Sequence, residues 1–195
     1  MNNTEDIKRV RMVLKDDVDE DDIDGLAFNA NWDLIEVAKE DPREGTPYQV
    51  IWATEGEREA IHYINDHVLN LRYVLVKGNA PDNVLWEIRK TLHVYEVSEI
   101  IEELNSATEA DAIVKAINKL AVAAPQSFDF ETYNLFKKYA AHPDPEVRSA
   151  VIFAMSYPAW KEFRQLVEQL GLNDPNSEVR ETAQYFLEGY SRFGN

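Results

Sequence analysis

Up to about residue 80 the apolar positions come in short runs rich in β-branched and aromatic side chains, and beyond Pro81 they recur at helical spacing. Residues 9–14 (RVRMVL), 48–53 (YQVIWA) and 71–76 (LRYVLV) read as strands. Between the last two, Ala60, Ile61, Ile64 and Val68 form a helical stripe. Thr54 is its expected N-cap, with Glu57 as capping-box partner. Strand, helix and strand so closely joined predict a parallel βαβ unit. Trp32, Ile35 and the pair Glu36 and Lys39 predict a further helix over 31–39, stopped by Asp41-Pro42. The expected fold class is α+β. Residues 1–80 form a small α/β cap of about three strands with an acidic loop, and residues 81–195 form a helical domain.

The helical part shows a repeat. Val84, Leu85, Ile88 and Leu92 mark its first helix, residues 97–104 a second, and Ile113, Ile117 and Leu120 a third. Tyr133, Phe136 and Tyr139 mark the fourth; Val147, Ala150, Val151 and Ala154 the fifth. Trp160, Phe163, Val167 and Leu170, then Val179, Ala183, Phe186, Leu187 and Tyr190, mark the last two. Short turns between helices of this length predict antiparallel neighbours. Val114-Lys115, Val147-Arg148 and Val179-Arg180 recur at spacings of 33 and 32, a period that points to stacked helical hairpins. Pro125 and Pro158 also lie 33 apart. Asp144-Pro145 is echoed by Asp174-Pro175, whose turn is two residues longer before its Val-Arg.

The segments HPDPEVRSAVIFAM and LNDPNSEVRETAQYFL resemble HEAT repeats of the short, phycobilisome-lyase-like kind in their Asp-Pro turn, Val-Arg opening and small-residue face. The resemblance is closest over 142–190, extends to 106–141 and thins over 81–105; residues 1–80 lie outside it. It implies an α-solenoid of antiparallel helix pairs in which Asp144, Arg148, Asp174 and Arg180 form a structural ladder between repeats. Glu109 and Lys115 stand where Asp and Arg are usual, which leaves the ladder incomplete at the first repeat. It also implies second helices lining a concave surface, which makes Tyr133 and Tyr139 partner-binding candidates, with core packing as the other role open to them.

Charge changes the picture further. The formal net charge is −16, and residues 1–45 carry 14 acidic against 6 basic side chains. Asp16, Asp17, Asp19, Glu20, Asp21, Asp22 and Asp24 crowd into one stretch. A field of this sign repels phosphate backbones and anionic membranes and attracts basic surfaces. An EF-hand alignment of that stretch puts Glu20, Asp22, Asp24 and Gly25 at positions one, three, five and six, but leaves Asn31 at the twelfth, where a bidentate carboxylate is needed. A solvated acidic loop is therefore expected there, with a basic partner as its target. The histidines are His62, His67, His93 and His142. The spacing of five between the first two does not stack ligands on a helix face, so no metal site is expected. Cysteine is absent, which excludes disulfides and thiolate chemistry.

No nucleophile elbow, P-loop or dinucleotide fingerprint follows any strand, so no enzyme activity and no cofactor are expected. Trp32, Trp52, Trp86 and Trp160 fall on apolar stripes or a strand and are expected in the core. No apolar run reaches membrane-spanning length and the N-terminus lacks a signal-peptide core, so a cytoplasmic protein is expected. The functional expectation is a non-catalytic protein-binding module, similar in charge and size to immunity proteins that cover a basic nuclease toxin. The alternative, implied by the repeat resemblance, is a HEAT-repeat scaffold or a bilin-lyase-like or chaperone-like regulator.

Overall fold

A computed structural model describes residues 7–193. They form an α+β protein, with a five-stranded antiparallel sheet and eight helices among the described residues. Contacts divide the chain into two compact units after Glu96, not at Pro81. No described helix is long and apolar enough to cross a membrane.

The first unit holds β1 (Lys8–Val13), α1 (Glu20–Asn29), β2 (Asp33–Ala38), β3 (Tyr48–Ala53), β4 (Glu59–Asp66), β5 (Leu71–Gly78) and α2 (Asp82–Thr91). The sheet order is β1-β5-β4-β3-β2, and every neighbouring pair is antiparallel. This overturns the parallel βαβ unit and the count of three strands. The segment 59–66, read as a helix, is β4. Thr54 does not cap a helix. Its hydroxyl donates to Glu59 Oε2 at 2.8 Å and accepts from Glu59 N at 3.1 Å, closing a β3–β4 turn in which Gly56 and Glu57 take positive φ. At the next turn Asp66 Oδ1 accepts from the backbone of Val68 and Leu69.

The helix expected over 31–39 is strand β2. Gly78, opposite Glu59 in the ladder, has no room for a side chain: a Cβ there would lie 2.9 Å from the Arg58 carbonyl oxygen. One core collects Val50, Trp52, Ile61, Tyr63, Val74 and Val76 of the sheet with Ile23 and Leu26 of α1 and Val84, Leu85 and Ile88 of α2. Each large side chain so buried contributes about 1.5–3 kcal/mol. The helix α2, grouped by its period with the helical domain, belongs to this sheet core.

The second unit is helical: α3 (Val97–Ser106), α4 (Ala110–Ala123), α5 (Phe130–Tyr139), α6 (Pro145–Ala154), α7 (Phe163–Asn173) and α8 (Ser177–Phe193). Helix α4 contacts α3 and α6, α6 contacts α5 and α8, and α7 contacts α8. Val147 and Val179, equivalent in the sequence period, are both fully buried, as are Val151 and Ala183 one turn on.

Candidate protein-binding site

Residues 16–24 are mostly not a loop. Asp19 is the N-cap of α1: its Oδ1 accepts from Asp21 N at 3.0 Å and Asp22 N at 3.4 Å, while Asp22 Oδ2 accepts from Asp19 N at 3.0 Å. This is a capping box built from two aspartates, and the acids of the first turn complement the positive end of the helix dipole. Glu20 accepts from the Tyr48 hydroxyl at 2.8 Å. Burial, and then this bond to Glu20, push the Tyr48 phenol up to about 12. Asp17 meets His93 at 2.7 Å, a hydrogen bond that holds its carboxyl below the usual range. The Asp16 carbonyl accepts from Arg72 at 2.7 Å. Four of the seven side chains therefore have structural partners, and Asp21 and Asp24 stand exposed on α1. The helix also dissolves the calcium alignment, because residues two apart on a helix do not face the same point. Among the described residues no group of three or more His, Asp and Glu side chains could hold a metal ion.

Immediately after α1 the chain enters β2, at one edge of the sheet. Five of its six residues are exposed, including Leu34 (59%), Ile35 (55%) and Val37 (52%), and Phe28 on the preceding helix is 84% exposed. A bulge lies between Leu34 and Glu36, and regular pairing with β3 resumes from Glu36 to Ala38. The opposite edge, β1, is handled differently. It carries Lys8, Arg9 and Arg11, and at its end Leu14 bridges Val94, Tyr95 N donates to Val13 O at 2.8 Å and Lys15 N to His93 O at 2.9 Å. Sequence reasoning missed the open edge because it read β2 as a helix. The available signal was the β-branched pair Ile35 and Val37, followed by the Asp41-Pro42 turn into β3.

The other candidates separate into structural and surface residues. Arg148 is buried and holds Asp174 through both carboxylate oxygens, Nε to Oδ2 at 2.8 Å and Nη2 to Oδ1 at 2.7 Å. Its Nη1 donates to the carbonyls of His142 and Pro143. Arg180 Nη1 donates to the Asp174 carbonyl at 2.6 Å, and Asp144 caps α6 through Glu146 N. The longer turn leaves capping of α8 to Asn176, which accepts from Glu178 N and Val179 N, so the Asp174 carboxylate is aimed at Arg148. That bond holds the Asp174 carboxyl below its usual range.

Tyr139 is buried, its hydroxyl donating to Leu104 O at 2.8 Å, and so cannot reach a partner. Tyr133 is half-buried, 5.6 Å from Phe163 and 5.5 Å from the exposed Phe128. Trp52 and Trp160 are core residues and Trp32 is half-buried, but Trp86 lies on the solvent side of α2 with Lys90 over its ring at 4.6 Å. His62 is buried in β4 against Gln49. Burial first, and the Lys77 charge second, push its imidazole down to about 4. His67 lies 3.7 Å from Glu40. Comparison of the chain with family models, with curated proteins and with solved structures finds no match.

Proposed function

We propose that the protein is a non-catalytic binding module that covers a basic protein partner, in the manner of an acidic inhibitor of a nuclease toxin. One observation carries this reading: residues 20–37 expose acid (Asp21, Asp24, Asp33, Glu36) and large apolar side chains (Phe28, Leu34, Ile35, Val37) together. Acid of this density accelerates encounter with a cationic surface, and exposed apolar side chains supply area to bury once contact is made. Helices α3–α8 are proposed to stack as HEAT-like hairpins; the period of 33 and 32 residues and the chain of contacts from α4 to α6 to α8 support this.

The test is capture of basic proteins from the source cell, followed by association kinetics with the captured protein over a salt series. Asp21→Asn with Asp24→Asn is the informative variant, since Asp19 and Asp22 also hold the helix cap. The expected outcome is an on-rate several-fold lower at low salt, converging with wild type as the Debye length shrinks to about 8 Å. A partner that binds wild type and variant alike at every salt concentration rules the reading out.

A further inference from the structure

We infer that β2 is a pairing edge, and that an extended cationic segment of the protein partner adds beside Asp33–Ala38 as a further strand of the sheet. The inference rests on the proposed binding of a basic protein and specifies how that binding is made. An edge strand presents alternate backbone N–H and C=O groups outward, a template for any extended chain. Proteins normally blunt such an edge with charged side chains, lysine above all, or with proline, a short length, a bulge or a covering segment. The β1 edge shows two of these devices, its basic residues and the 93–95 segment lying along its end. The sequence of β2, DLIEVA, contains no basic residue and no proline. Its bulge is a guarding device, but a local one, since Glu36, Val37 and Ala38 pair regularly with Ile51, Val50 and Gln49.

Charge selects the occupant. Residues 33–44 hold five carboxylates, Asp33, Glu36, Glu40, Asp41 and Glu44, against Lys39 and Arg43. All seven of these side chains belong to exposed residues. A second copy of the chain would bring the same acidic strand, and two chains of net charge −16 repel. A segment alternating lysine or arginine with a β-branched residue satisfies both requirements. Its backbone completes the open ladder, its apolar side chains lie against Leu34 and Val37, and its cations meet Asp33 and Glu36.

Hydrogen exchange on the full-length protein tests this with an alternating Lys-Val peptide as probe. The same peptide N-methylated throughout keeps the charge and loses every strand donor. At about 100 times its Kd, the unmethylated peptide is expected to slow exchange of the outward amides of β2 about 100-fold, and the methylated one to leave them unchanged. Leu34→Lys with Val37→Lys, which replaces two exposed residues and should unfold at the wild-type midpoint, is expected to abolish the protection. Equal protection by both peptides, or protection confined to α1, overturns the added strand while leaving a charge-driven partner in place. Concentration-dependent dimerisation of wild type that the double substitution removes makes a second copy the occupant, and likewise overturns it. If neither peptide slows exchange at β2, the inference fails; the proposed function fails separately, by failure to capture any basic protein.

Discussion

Carboxylates in two regions, the Arg148–Asp174 turn of the helical unit and the α1–β2 surface of the sheet unit, are used in opposite ways. In the helical unit Asp174 is buried, gripped by both arms of Arg148 and supported by the turn around it. In the sheet unit Asp21, Asp24, Asp33 and Glu36 face water and make no ion pair among the described residues. The same side-chain chemistry holds the fold together at Asp174 and is left available for encounter on the α1–β2 surface. Net charge alone does not reveal this division. Burial and pairing do.

The largest effect that would sharpen the contrast is expected from Arg148→Ala. It strands a buried carboxylate, and removing one partner of such a pair costs about 3–5 kcal/mol, read as a lowered urea midpoint. The depressed Asp174 pKa has a pH consequence. Its stabilisation is fully present above the unfolded value of 3.8 and is lost as pH falls through the lower folded value. Arg148→Ala should flatten that acid limb, and partner affinity should change no more than the lost stability requires. A variant of normal stability that no longer binds would break the comparison.

Next comes His62, a buried side chain of the sheet unit whose burial works against its charge. Its folded pKa is lowered, so its contribution is full above 6.5 and is lost between 6.5 and about 4. His62→Gln should flatten stability over that window, measured by unfolding at stepped pH; an unchanged slope would mean the ring is hydrated. Asp19→Ala follows, at about 1 kcal/mol for the lost cap, seen as a reduced thermal midpoint. The smallest stability change, within about 0.5 kcal/mol, is expected for Asp21→Asn with Asp24→Asn, whose effect should appear in association kinetics. If this pair destabilises as much as Asp19→Ala, the exposed acids are structural after all.

The legible parts of the fold were those whose period had one interpretation. The β-branched and aromatic run 48–53 coincides with β3, and the stripes of α4 to α8 place Ile117, Val151, Phe163 and Ala183 in the core, where they lie. Strand β4 was misread because both of its faces are buried: Ile61 and Tyr63 point one way, His62 and Ile64 the other, so no alternation shows and a helical stripe fits by accident. Strand β2 failed for the opposite reason. With both faces exposed it has no buried face to impose a period of two. The acidic run was visible as composition, but its capping box was not, because Asp19 and Asp22 stand among so many other acids. Which strand lies at an edge depends on pairing order, a property of the folded sheet that no local pattern encodes.

Charge has a further consequence for the bare strand β2. At neutral pH its carboxylates, and those of the whole chain, make copies of the molecule repel one another. Near the isoelectric point of about 4.6 that repulsion disappears, while Leu34, Ile35 and Val37 remain as apolar as before. Colloidal stability should therefore fall at mild acidity, and protein that precipitates there in the folded state should redissolve as native protein on neutralisation. The lower limit of the working pH range is then set by a strand six residues long, and by the acid that keeps it soluble.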